Sequence, residues 1–294
     1  MAFSDRDHAR RWFTAEHANL MAIIRHAPAA GQHTAGWQLP QAFDCYLANY
    51  RHITDLITVH RLGVAAAEHL DDALGQCWAY GHLGEALMRA GEYDQAIAAQ
   101  QRALELAQTI GHTFGEAASL NDLGMIYNEL GRHQEAADYL RRAMWALRGL
   151  GLPRNEAVTL VHLGDALRGT GELDQALSHL HQALAISNDA GDTGAYANTL
   201  ISIGKTHHQR AHSDDAVRCL EQAAALLKDL HLDYPYAQTL TELGAVLRDT
   251  GRPHEAHRVW QEALAIQTEH DPQQATRIRT QINALNLPST PTNG

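Results

Sequence analysis

The chain has 294 residues, with 34 acidic residues against 23 Lys and Arg, for a formal charge of −11. That balance excludes the clustered basic footprint that nucleic-acid binding needs. It is rich in Ala and Leu with only 6% aromatic residues, as helix-on-helix packing prefers, and it has no run of 18 apolar residues that could span a membrane.

From the N-terminus, MAFSDRDHARRWF is charged and lacks an apolar core, so it is not a secretory signal. Residues 5–27 predict an amphipathic helix carrying Trp12, Phe13, Leu20, Ile23 and Ile24. Residues 37–70 predict a degenerate two-helix unit, with Arg51 at its turn and Gly63 at a small position. From residue 73 a strict step of forty residues takes over. Gly84, Gly124, Gly164, Gly204 and Gly244 keep it, followed by a turn series of Gly91, Gly131, Gly171, Ala211 and Gly251. Two small series follow, through Ala96 to Ala256 and through Ala103 to Ala263. Such a period marks a solenoid whose units bury their apolar faces against their neighbours.

Within one unit, Leu120, Leu123, Ile126, Tyr127 and Leu130 form one helical stripe. Ala136, Tyr139, Leu140, Ala143 and Leu147 form a second, and Gly131 breaks the chain between them. Gly124 lies inside the first helix at a cost of about 1 kcal/mol against Ala. Close approach of the partner helix accounts for it, with Ala136 and Ala143 expected opposite. Pro235 and Pro253 fall in first helical turns, and Gly151-Leu152-Pro153 reads as a loop. Trp260 and Trp145 are expected to bury between neighbours, and Trp78 to pack back on the degenerate unit. A closing helix over about 272–287 precedes the tail PSTPTNG, which lacks core-forming residues. The expected organisation is therefore residues 1–72 as leader and degenerate unit, 73–270 as five forty-residue units, and 271–294 as cap and tail.

The units LGEALMRAGEYDQAIAAQQRA, LGMIYNELGRHQEAADYLRRA, LGDALRGTGELDQALSHLHQA and LGAVLRDTGRPHEAHRVWQEA resemble the tetratricopeptide repeat, lengthened to forty residues as in kinesin light chains. The resemblance implies an all-α, right-handed α-solenoid (superhelix) of stacked helix-turn-helix hairpins. The leader WFTAEHANLMAIIRHA with GWQLPQAF and the repeats also looks like the C-terminal sensor region of actinobacterial antibiotic regulatory proteins. That implies a non-enzymatic, cytoplasmic module of transcription regulation.

The family resemblance places ligand-facing residues on the first helix of each pair. Carried onto this chain they are His82, Glu85, Arg89, Asn121, Asp122, Met125, Asn128, Glu129, His162, Asp165, Arg168, Ser202, Lys205, His208, Thr241, Glu242 and Arg248. Peptide-binding relatives carry Asn two before the repeated Gly; here that slot holds His82, Asp122, His162, Ser202 and Glu242. Acids and histidines gather in the earlier repeats and Lys205, His208 and Arg248 in the later ones. The partner expected is a protein or peptide carrying a basic segment, with self-association into a homodimer or scaffold as an alternative. A small-molecule receptor or catalyst using His82, His162 and Asp165 as acid–base groups is a further alternative.

No cofactor is implied. His82, Asp122 and His162 stand one repeat apart, too far to share an ion. His208 and His212 are four residues apart with His207, Asp214 and Asp215 nearby, a better local geometry at a turn that reads as ordinary surface. Gly204-Lys205-Thr206 imitates the end of a phosphate loop, but Thr199 stands where the motif needs Gly. Cys45, Cys77 and Cys219 are odd in number and form no C-x-x-C pair, as suits a reducing cytosol.

Overall fold

The computed structural model describes residues 6–49 and 52–285. Arg51 and the tail from residue 286 lie outside the described residues. Within them the chain forms fourteen α-helices and no strand, an all-α repeat solenoid. It divides into two compact units, Met1–Gly151 and Leu152–Gly294.

Unit 1 holds α1 (Arg6–His26), α2 (His33–Asn49), α3 (Ile53–His69), α4 (Ala73–Ala90), α5 (Tyr93–Ile110), α6 (Thr113–Glu129) and α7 (His133–Leu147). The hairpins are α2–α3, α4–α5 and α6–α7, each packing on the next, with α1 laid against α2 and α3. Ile24, Phe43, Leu47, Leu56 and Val59 fix this leading end, each worth about 1.5–3 kcal/mol by burial. The degenerate sequence of residues 37–70 thus still folds as a helix pair. Ile23 points outward, leaving Met21 and Ile24 as the buried stripe of α1.

Unit 2 holds α8 (Pro153–Thr170), α9 (Leu173–Asp189), α10 (Thr193–Gln209), α11 (Ser213–Asp229), α12 (Asp233–Asp249), α13 (Pro253–His270) and α14 (Pro272–Ala284). Its hairpins are α8–α9, α10–α11 and α12–α13, and α14 closes the last through Ile278. Pro153 is the first residue of α8 rather than part of a loop, because proline is pre-set for the first helical position. The first helices lie side by side: α2 meets α4 and α4 meets α6 in unit 1, and α10 meets both α8 and α12 in unit 2.

The repeated glycine has a different partner from the one its sequence context predicts. A Cβ on Gly124 would stand 2.5 Å from Leu140 Cγ, and one on Gly164 2.6 Å from Leu180 Cγ. The space is filled by the bulky side chain sixteen residues later: Gln100, Leu140, Leu180, Leu220 or Trp260. The partner helix does approach closely: Ala136 and Ala143 are fully buried, and Ala216 O stands 3.3 Å from a Cβ on Gly204. The nearest atoms, however, are those of the bulky side chain. The helix-propensity cost of about 1 kcal/mol is offset by seating a large apolar side chain.

The turn series takes the left-handed backbone as expected, with φ of +78° at Gly91 and +72° at Gly131. Ala211 takes it too, at +61°, where a Cβ costs about 1–2 kcal/mol. Ala211→Gly is therefore expected to stabilise unit 2 by about 0.5–1 kcal/mol, after the added freedom of the unfolded chain is subtracted. Urea denaturation checks this, and an unchanged or lowered midpoint would contradict it.

Two tryptophans depart from expectation. Trp260 is fully buried, but Trp145 is 72% exposed, because α7 packs through Ala143, Ala146 and Leu147 instead. Trp78, expected against the degenerate unit, has its ring forward, 5.5 Å from His112 and 5.8 Å from Phe114 at the start of α6.

Candidate functional site

In unit 1, the expected residues His82, Glu85 and Arg89 lie on α4, and Asn121, Asp122, Met125, Asn128 and Glu129 on α6. The structure draws part of this set into one half-buried polar cluster and adds three residues. The His82 ring stacks on that of His60 from α3, 5.4 Å away at 16°. His60 Nε2 donates to Asp44 Oδ1 of α2 at 2.8 Å. Gln100 of α5 reaches through the gap beside Gly84, and its Nε2 donates to Gly81 O at 3.0 Å and to Asp122 Oδ2 at 2.9 Å. Asn121 Nδ2 donates to the other oxygen of Asp122 at 3.2 Å.

The electrostatics of this cluster are strained by acid. Burial, then the charge of Glu85, hold the Asp122 carboxyl well above the ordinary carboxylate range, against hydrogen bonds from Asn121 and Gln100. Burial likewise raises Glu85, with Asp44 adding to it and His82 and Arg89 opposing. Asp44 is the acid that stays ionised. Burial acts against it, but the His60 hydrogen bond and the charges of His60, His82 and Arg89 bring it below its ordinary value. Burial lowers the pKa of His60 against the opposing pull of Asp44, and its Nε2 is the N–H donor to Asp44. Arg89 is the guanidinium whose charge reaches all three carboxyls.

The remaining expected residues of unit 1 take less part. Asn128 Oδ1 is engaged by His133 Nδ1 at 2.7 Å across the turn, and Glu129 is exposed. Met125 Sδ receives Asn121 Nδ2 at 3.6 Å.

Unit 2 carries the other nine residues, and there the charges close on one another. Ser202 Oγ donates to Asp165 Oδ2 at 3.0 Å, and Arg168 Nη2 meets the other oxygen of Asp165 at 3.3 Å. Lys205 Nζ pairs with Glu242 at 3.2 Å, and His208 Nε2 with Asp249 at 3.3 Å. Arg248 pairs with Asp249 at 2.7 Å and lies 5.8 Å over the Trp260 ring. The basic stretch expected from Lys205, His208 and Arg248 is thus met by acids, because Glu242 and Asp249 of α12 face Lys205 and His208 of α10 and Asp249 adjoins Arg248. Burial keeps His162 neutral against the pull of Asp165, and the Thr241 hydroxyl is spent on Ala237 O of its own helix at 2.8 Å. Arg168, Lys205, His208, Gln209 and Glu242 rim a cleft of about 460 Å³ over Leu220, Ala245 and Val246.

The histidine expected to face His212 is also corrected. His208 turns to Asp249, and His207 is the one beside His212, with ring centroids 5.9 Å apart.

Asp44, His60 and Gln100 escaped the sequence reading. Asp44 and His60 sit where the repeat is degenerate and its register is weak. Gln100 had a usable signal. It is the polar member of a slot that elsewhere holds Leu140, Leu180, Leu220 and Trp260, and a polar side chain in a core slot needs a buried partner.

Hairpins of forty residues, stacked within each unit so that their first helices share a polar face, define a helical repeat protein of the interaction class. The chain belongs to the tetratricopeptide repeat family: models of that repeat match residues 75–148, 155–229 and 237–270. Solved structures of similar fold include BtubC (BKLC) from P. vanneervenii, 19% identical, TM-score 0.59, covering 82% of this chain and 96% of that one. A Rap protein complexed with Competence and Sporulation Factor is 15% identical, TM-score 0.67, covering 92% and 80%. A thermophilic repeat protein of Thermus thermophilus is 23% identical, TM-score 0.55, covering 71% and 98%. No curated protein sequence matches the chain. Among the described residues no helix is long and apolar enough to cross a membrane.

Proposed function

We propose that the chain is a peptide-binding repeat module whose unit 1 face receives a cationic group of a polypeptide segment. One observation carries this reading: Asp44, Glu85 and Asp122 gather in a desolvated cluster and share the charge of Arg89. Two of the three are held above their ordinary range, so an arriving ammonium or guanidinium would be matched by carboxylates that ionise as it binds. Proteins of this fold have been solved holding peptides, among them the Rap conjugation gene regulator of plasmid pLS20 with the Phr* peptide, which supports the reading. The likeness of the leader and repeats to the sensor region of antibiotic regulatory proteins extends it. In that role the module works in the cytoplasm of an actinobacterium as the sensing part of a transcriptional regulator.

The test is selection of displayed random peptides on the full chain, followed by anisotropy titration of the winners. Selected peptides should share a Lys, an Arg or a free N-terminus, and Glu85→Gln with Asp122→Asn should weaken them about tenfold or more, roughly 1.4 kcal/mol. Helicity measured by circular dichroism should stay unchanged. Winners without a common cationic group, or full affinity in the double variant, would overturn the reading.

A further inference from the structure

The second helix of each hairpin opens on a recurring side-chain pair, made by its N-cap residue and the residue three further on. Gln95 Nε2 donates to Glu92 at 2.5 Å, Arg132 Nε to Glu135 at 2.7 Å, Gln175 to Glu172 at 2.7 Å and Arg252 to Glu255 at 2.7 Å. In α11 the same slot holds His212 and Asp215. A His–Asp pair alone would be one more version of that cap. In α11 a third group, His207, is delivered by the last turn of α10; α3 has a similar set in His52, Asp55 and His17, but there His17 Nε2 is already bonded to Asp55 Oδ2 at 3.0 Å.

One donor atom from each of His207, His212 and Asp215 lies within 4.8 Å of the others. The two imidazole rings are nearly parallel, at 20°. His207 Nδ1 is buried and has no hydrogen-bond partner among the described residues. Arg218 occupies Oδ1 of Asp215, and a carboxylate has a second oxygen to offer. We propose that His207, His212 and Asp215 form a binding site for a divalent metal of the zinc class.

The donor chemistry fits such an ion, since imidazole with one carboxylate suits zinc and its neighbours. The run His207-x4-His212 falls within the His spacing of zinc sites, and Asp215 follows three residues later. Ligands at about 2.0–2.2 Å from a tetrahedral ion stand roughly 3.3–3.5 Å apart. The donor atoms lie within 4.8 Å and would have to draw closer to reach that spacing, and His212 is exposed enough to turn toward the others. Burial lowers the pKa of His207, with Asp215 opposing and His212, His181 and Arg210 assisting. It therefore offers a lone pair at neutral pH, which a ligand must have.

The site straddles the turn in which Ala211 is held left-handed at +61°. An ion bound there would clip the end of α10 to the start of α11 and stabilise the hairpin by mass action.

Zinc chloride titrated calorimetrically into the full chain tests this, with Co²⁺ absorption as a second reading of coordination. The wild type should take up one equivalent that both His207→Gln and Asp215→Asn lose or bind about tenfold or more weakly. The thermal midpoint should rise with zinc in the wild type only. Asp215→Asn, at the more accessible of the two positions, guards against misfolding caused by His207→Gln, and His254→Ala on α13 controls for the chain's many other histidines. The proposal is overturned if both triad variants bind as the wild type does. It is equally overturned if the equivalent disappears with His17→Gln, which would place the ion at His17, His52 and Asp55 of unit 1 instead.

Discussion

Trp260→Ala is expected to lower stability by about 3–5 kcal/mol, with unfolding beginning in the last repeat of unit 2. The indole is fully buried, seated against Gly244, and its Nε1 donates to Thr241 O at 3.0 Å. Truncation would leave a cavity, remove the indole hydrogen bond and remove the surface under Arg248. Trp260→Leu should cost markedly less, because Leu140, Leu180 and Leu220 fill the same gap elsewhere. Urea denaturation followed by circular dichroism separates the two. Equal losses for Ala and Leu would show that the gap is not what the tryptophan stabilises.

The second large effect is a pH-dependent one at Asp122. A carboxyl whose folded pKa is raised is neutral in both states at acid pH and costs nothing there. As pH rises above the ordinary carboxylate value the unfolded chain ionises freely and the folded one does so only at a penalty. The penalty therefore grows as pH rises through the window between the two values. Asp122→Asn removes it while its amide oxygen can still accept from Gln100. The variant should be more stable than the wild type at pH 7.5 by about 1–3 kcal/mol, and the two should converge near pH 4. A gap that stays constant with pH, or one that reverses, would show that Asp122 is not held protonated by its surroundings.

These two sites also mark how far the sequence could be read. Gly84 to Gly244 dictated helix pairs, their turns and their stacking, because a strict period leaves few ways to bury alternate stripes. The same pattern misjudged what the glycines face. A period shows that two positions are correlated, but it does not show how far a side chain reaches, and Leu140 is what stands nearest the Gly124 gap. The grouping of candidate residues was legible in outline: His82, Glu85, Arg89, Asn121 and Asp122 stand together in unit 1. Asp44 and His60 were not, since the degenerate unit carries no repeat signature from which to count. In unit 2 the residues were identified and their state was not. Whether Lys205 and His208 are open to a partner depends on Glu242 and Asp249 one helix away, a spatial neighbour that sequence spacing does not supply.

Gln100 gives the unit 1 face an unusual dependency. The residue that holds Asp122 in place grows from α5, on the far side of the hairpin, and arrives by way of the opening at Gly84. The proposed ligand face is thus partly written on the back of the repeat. Anyone grafting the α4 and α6 surface onto another repeat scaffold would lose it by keeping that scaffold's leucine in the Gln100 slot. The smallest portable piece is α2 through α6 with both inner and outer layers intact, because Asp44 and His60 stand on α2 and α3.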